Sequence, residues 1–274
     1  KYYEELQFNE NAKLEEIVFD DVYPLFGQCD IKGSSDARNN AIQEDLTKQL
    51  NLAINVLKEA CEKENLPIYK ELMFRVSTYL KDVKSGLNAG DEINILDFLK
   101  REIYPIFGHI RVLSPSLHEK VDVYMDRLDD DLEVVYEKRK EYEDSVTLLN
   151  EKLASFIDKK QKEAQKMYPH YFERYVTDGV EFNMYIGQSI TKEDSFDDIY
   201  LFNLRLWQLQ TICEMENIAY NQLQNMNHEL RVASLILIHN NPMAIKFRMD
   251  EKQFDIDCAY NIRYEIIKKR IDKA

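Results

Sequence analysis

Apolar positions in this chain recur mostly at intervals of three and four, the stripe of an amphipathic α-helix. The longest such run lies between Ser116 and Lys166. It contains Val121, Tyr124, Leu128, Leu132, Val135, Tyr142, Val146, Leu149, Leu153 and Phe156. No glycine or proline interrupts it; the stripe breaks once, at Arg139, and has one doubled step of four around Leu128. The pattern predicts a single helix of roughly fifty residues, about 75 Å long. Ser114 before Pro115, or Ser116 with Glu119, would cap its start.

Shorter stripes precede it. Asn9 or Asn11 can cap a helix carrying Leu14, Ile17, Val18, Val22 and Leu25, which ends near Pro24 and Gly27. After a polar loop, Gln28–Ser34, a second helix carries Ile42, Leu46, Leu50, Ala53, Leu57 and Cys61. Pro67 opens a third, with Ile68, Leu72, Val76, Leu80 and Val83, and Asp91 caps a fourth, with Ile93, Leu96, Leu99 and Ile103. The string Val22-Tyr23-Pro24-Leu25-Phe26-Gly27 recurs 81 residues later as Ile103-Tyr104-Pro105-Ile106-Phe107-Gly108. Both copies follow an acidic amphipathic stretch, so the spacing predicts a duplicated helical hairpin, about 9–64 and 91–166.

Beyond Met167 the period changes. Tyr168 to Tyr175 is dense in aromatics, and Asp178-Gly179 marks a turn. Val180, Phe182, Met184 and Ile186 alternate as in a strand. Phe196 to Asn225 returns to helix period, with Phe202, Leu206, Leu209 and Cys213. Val232–Ile238, then Ile245–Met249, then Phe254 and Ile256 read as strands, and Tyr260–Ala274 as a final helix. The fold class expected is mainly α: a helical bundle (1–166) with a duplicated hairpin and one very long helix, followed by a small α+β unit (167–274). Because the chain starts without Met and stops inside a helical pattern, it reads as a piece of a longer protein.

Composition agrees with long helices: Gly is only 7 and Pro 6 of 274 residues, with 45% apolar residues to build a core. The formal net charge of −14 repels nucleic-acid phosphate and anionic lipid, so neither is expected as a partner. Cys29, Cys61, Cys213 and Cys258 lie far apart, which excludes a C-x-x-C metal site and fits reduced cytosolic thiols. No run reaches the length of a membrane span and no signal peptide is visible.

Motifs of known chemistry are lacking: there is no G-x-S-x-G elbow, no phosphate loop and no ordered calcium loop. The run Asp129-Asp130-Asp131 reads as a solvated helix face. Two stretches carry candidate ligand contacts. The first is the corner formed by Asp30, Lys32, Gly33, Ser34, Ser35 and Arg38, where free amides, hydroxyls and two cations could hold an anion. An ordinary capped loop explains the same residues. The second is His170 and Tyr171 in the aromatic cluster, which could line a pocket or fill an interdomain core. His170 and Glu173, three apart, lack the second histidine of a metal-binding helix.

Three strings, Val22–Ser35, Asn203–Leu209 and Phe254–Ala274, resemble parts of large bacterial GAF-domain-containing proteins, in which helical and α+β regions accompany a sensory domain. The resemblance implies a cytoplasmic signalling or regulatory role. GAF domains bind small ligands such as cyclic nucleotides or tetrapyrroles, but no stretch here matches a GAF pocket. No catalytic residue or cofactor is implied. The combined expectation is a non-catalytic regulatory, sensory or protein-interaction module, with a protein partner, self-association or a small-molecule ligand. The alternatives are an enzyme or ligand-binding domain with a pocket near 168–175, and a dimerising helical scaffold.

Overall fold

The computed structural model describes residues 17–88, 90–191, 195–224, 230–248 and 253–256. The expected lead-in before Ile17 and the final helix Tyr260–Ala274 lie outside the described residues. The fold is α+β, not a mainly-α bundle. It divides into two compact units, one made of residues 34–145 and the other of the flanking segments, up to Gly33 and from Val146 onward. The join expected at 167–178 therefore falls elsewhere.

The helical unit begins with α1 (Ser34–Lys63), whose Ile42, Leu46, Leu50, Ala53 and Leu57 are all buried as the stripe predicts. It packs against α2 (Pro67–Ser85). Next come α3 (Asp91–Phe98), a π-helical turn (Leu99–Ile103), α4 (Tyr104–Ile110) and α5 (Pro115–Met125). Their shared core includes Leu50, Leu57, Tyr69, Leu72, Ile95, Leu99, Ile103, Ile110, Leu117 and Tyr124. Each fully buried Leu or Ile contributes about 1.5–3 kcal/mol from leaving water.

The expected rod is broken. α5 ends at Met125, and α6 (Lys138–Ala164) starts only at Lys138, after a compact loop. Asp129 organises that loop, for its carboxylate accepts from the amides of Asp131 (3.1 Å) and Leu132 (3.0 Å), an Asx turn. Its own amide donates to the Val134 carbonyl at 2.8 Å, and Glu133 turns with φ +56°. The acidic run is therefore a turn, not a helix face. Two buried side chains of α1 then anchor the loop's exit and the start of α6. Gln49 Oε1 accepts from the Val135 amide at 3.1 Å. The Asp45 carboxylate accepts from the amides of Lys138 and Arg139, both at 3.0 Å, and so caps α6. Arg139, the stripe defect, sits in the first turn of the new helix and bridges Glu92 (2.8 Å) and Glu143 (2.9 Å).

The duplicated hairpin is also absent, because the two copies of the six-residue string have different shapes. Val22–Gly27 lies within β1 (Ile17–Lys32), a strand in place of the expected helix. Pro24 falls where the partner of β1 changes from β4 to β5, so its missing N–H lies in a gap of that ladder. The second copy is helical. Pro105 removes a helical donor, and the backbone widens into the π turn, in which the Tyr104 amide donates to the Leu99 carbonyl.

The second unit is built on an antiparallel sheet of six strands, in the order β2 (Tyr171–Val176), β3 (Gly179–Ile186), β1, β5 (Met243–Arg248), β6 (Gln253–Ile256). β4 (Arg231–Ile238) pairs with Leu25–Lys32 of β1, and β5 with Ile17–Val22, so the two follow one another along the long strand. α7 (Asp198–Leu223) lies against β1 and β4. The half of α6 beyond Val146 runs antiparallel to α7, tied by Lys160–Glu214 (2.8 Å) and by Lys152 donating to Gln222. The Trp207 ring meets Phe182 edge-on at 6.0 Å beneath α7.

Candidate functional site

The corner predicted to hold an anion is not a loop. β1 continues to Lys32, Gly33 turns the chain at φ +66°, and α1 starts at Ser34. Asp30 is buried within the strand, where its carboxylate accepts from Gln28 Nε2 (3.0 Å) and the Ile31 amide (3.1 Å). The Ser34 carbonyl accepts from the Tyr142 hydroxyl at 3.0 Å. Lys32, Ser35 and Arg38 reach the surface, and the Arg38 guanidinium lies 4.0 Å from Glu143. Asp30, Lys32 and Gly33 fall in the sheet unit, and Ser34, Ser35 and Arg38 in the helical one.

Tyr171 opens β2, and His170 immediately precedes it, off any helix. Gln165 clamps the His170 backbone from both sides: its Nε2 donates to the His170 carbonyl (2.8 Å) and its Oε1 accepts from the amide (3.2 Å). The buried imidazole sets Nδ1 2.8 Å from the Tyr168 carbonyl, so Nδ1 carries the proton. Nε2 meets no hydrogen-bond partner among the described residues. Burial holds the His170 pKa below its ordinary value, against the opposing pull of the Tyr168 carbonyl. Tyr171 packs 6.1 Å from Tyr185, and burial with the nearby Glu173 pushes its hydroxyl pKa up.

These candidates do not converge. Tyr171 pairs with Tyr185 and so aligns with Pro24, whereas Asp30 pairs with Gly179 at the far end of the same strands. Six residues of strand separate the two rows, about 20 Å. Asp178 lies in that distant turn as well, away from His170 and Glu173. Among the described residues no group of three His, Cys, Asp or Glu is placed to hold a metal ion.

A candidate surface that sequence reasoning missed is on α7. This helix is capped by Asp197, whose carboxylate accepts from the Ile199 amide at 2.9 Å. It carries two apolar stripes. Leu201, Leu204, Trp207, Ile212, Met215 and Ala219 are buried, with Gln208 Nε2 donating to the Phe26 carbonyl at 2.6 Å. The other stripe, Ile199, Phe202, Leu206, Leu209 and Tyr220, points outward, each residue between 52% and 59% exposed, with Cys213 exposed among them. The spacing 199, 202, 206, 209, 213, 216, 220 alternates threes and fours, a period of 3.5. Phe202, Leu206, Leu209 and Cys213 mark this helix in the sequence, and their regular spacing suggests core. The signal available was that the helix is apolar on two faces, one more than a single sheet can cover.

The class of protein defined so far is a two-unit α+β chain whose sheet unit presents an outward apolar helix. Within it, residues 40–153 match a family described as YeeD uncharacterised protein. That stretch is similar to the family, and it holds Asp45, Gln49 and the start of α6 while leaving α7 outside. No curated protein and no solved structure matches the chain. Among the described residues no helix is long and apolar enough to cross a membrane.

Proposed function

We propose that this chain is a non-catalytic interaction module of a cytoplasmic regulatory or signalling protein, and that it works by docking an amphipathic helix along the outward face of α7. The observation that carries this reading is the 3.5-residue spacing of Ile199, Phe202, Leu206, Leu209 and Cys213 on an exposed helix surface. An α-helix with its own apolar seam is the shape that meets such a stripe, knobs into holes. Exposed apolar patches of several hundred Å² are otherwise uncommon on soluble chains. The resemblance of Val22–Ser35 and Asn203–Leu209 to segments of GAF-domain-containing proteins supports the signalling context.

The test compares the full chain with Leu206→Gln/Leu209→Gln, both positions being surface-exposed and Gln a good helix former. Under dilute conditions in which the chain is monomeric, wild type should bind an apolar fluorescent dye and the variant should lose most of that signal. Equal dye binding by the two proteins would remove the α7 face as an interaction surface.

A further inference from the structure

We infer that the helix docked on α7 is α7 of a second copy of the chain. This deepens the docking proposal and rests on it. Of three observations, periodicity is compatible with self-pairing, and charge and area favour it over a foreign helix.

The first is periodicity. A seam repeating every 3.5 residues along a 26-residue helix matches itself about a two-fold axis, which is the commonest symmetry of soluble oligomers. The strongest part runs from Ile199 to Cys213, and Glu216, bonded to Ser234, ends it.

The second is charge. Two copies, each with a formal net charge of −14, repel one another wherever acidic surfaces meet. The exposed flank of the α7 seam holds Asn203, Gln210 and Asn217, all neutral amides. Of the nearest charges, Arg205 donates to the His239 carbonyl and Glu214 is paired with Lys160. Between Ile199 and Cys213 the helix carries no acidic residue, so an acidic chain confines the acids near this stripe to its ends, Asp198, Glu214 and Glu216. Amides can also hydrogen-bond to their own counterparts across the axis. A basic partner helix would instead be met by an acidic flank, which this one is not.

The third is area. Each half-exposed large side chain of the stripe contributes on the order of 100 Å². The four that precede Glu216 give roughly 400 Å² per copy, or about 800 Å² from two copies before the amide flank is added, which is the size of a weak, reversible interface.

Sedimentation velocity on the full chain over roughly 1–100 µM tests this, a range suited to an interface of modest size. Wild type should shift from monomer to dimer with concentration. Leu206→Gln/Leu209→Gln should weaken the dimer by about 100-fold or more, because both residues lie at the centre of the seam. Phe74→Gln, which removes an exposed apolar residue of the other unit, should leave it unchanged. Fluorescence of Trp207 on the buried face of the same helix checks that each variant is folded. A wild type that stays monomeric, a dimer unmoved by the double substitution, or equal weakening by Phe74→Gln overturns self-pairing. If wild type is monomeric but its dye binding still falls in the double variant, only the second-copy assignment fails. If both readouts are unmoved, the interaction reading fails with it.

Discussion

Asp45→Ala isolates the contact that replaces the expected rod with two helices. Asp45 is 4% exposed, and its two carboxylate oxygens each accept one amide from the first turn of α6, Lys138 and Arg139 at 3.0 Å. The positive end of the helix stands in for a counter-ion. Alanine removes the cap, which costs about 0.5–2 kcal/mol. It also leaves two amides without a protein partner, at about 1–3 kcal/mol for each group that water cannot reach. Lys138 and Arg139 are only part-buried, so water recovers some of this and the total should fall near ~2 kcal/mol. Asn at this position keeps an acceptor for one amide but turns an NH₂ toward the other, for a loss of about 1 kcal/mol. The assay is urea unfolding followed by far-ultraviolet circular dichroism, with amide exchange at Arg139 as the local readout. An Asp45→Ala loss below about 0.5 kcal/mol, or an unchanged Arg139 exchange rate, would refute the claim that a side chain of α1 sets where α6 begins.

Further perturbations probe both units. A Cβ at Gly179 would stand 2.4 Å from the Cys29 carbonyl oxygen, a backbone atom that cannot move aside. Gly179→Ala should therefore cost about 2 kcal/mol or more in denaturant unfolding read by Trp207 fluorescence, while helical Gly108→Ala, with open space around it, should gain about 0.5 kcal/mol. Acid should weaken the sheet unit through His170, whose folded pKa is depressed. The unfolded ring takes a proton below about pH 6.5 and the buried one resists it, so this stability is present above that pH and is lost as pH falls. His170→Phe should flatten this dependence, leaving the contribution of His239, whose pKa is lowered by burial and by Arg205. A melting temperature independent of pH across this window would contradict the burial of the ring.

The parts legible in the sequence were those whose period is set locally. α1 buries Ile42 to Leu57 of its announced stripe and α2 buries Leu72, Val76 and Val83 while Ile68 stays exposed, and β3, β4 and β5 follow the alternation or apolar run that predicted them. β1 reads as a helix because Leu25–Ile31 is buried on both sides and shows no alternation, while Ile17, Val18, Val22 and Leu25 fall by chance at helical steps. β2 is hidden among aromatics that read as generic core. The break at 126–137 is invisible because its determinants, Asp45 and Gln49, act across 93 and 86 residues of chain. The two candidate stretches lie at opposite ends of the strands, the rows of Tyr171 and Asp30 six residues apart along β1, a separation that no local pattern announces.

The paired Tyr-Pro-aromatic-Gly strings bear on how such chains are compared. In β1 the glycine of the string admits the Phe182 ring, since a Cβ there would sit 2.5 Å from the ring edge, while its counterpart Gly108 meets nothing within 4 Å. Near-identical hexamers thus hold no conformational memory of their own. Whichever environment encloses them writes their geometry, and any evolutionary or design inference that aligns the two would superimpose a ribbon on a coil of helix.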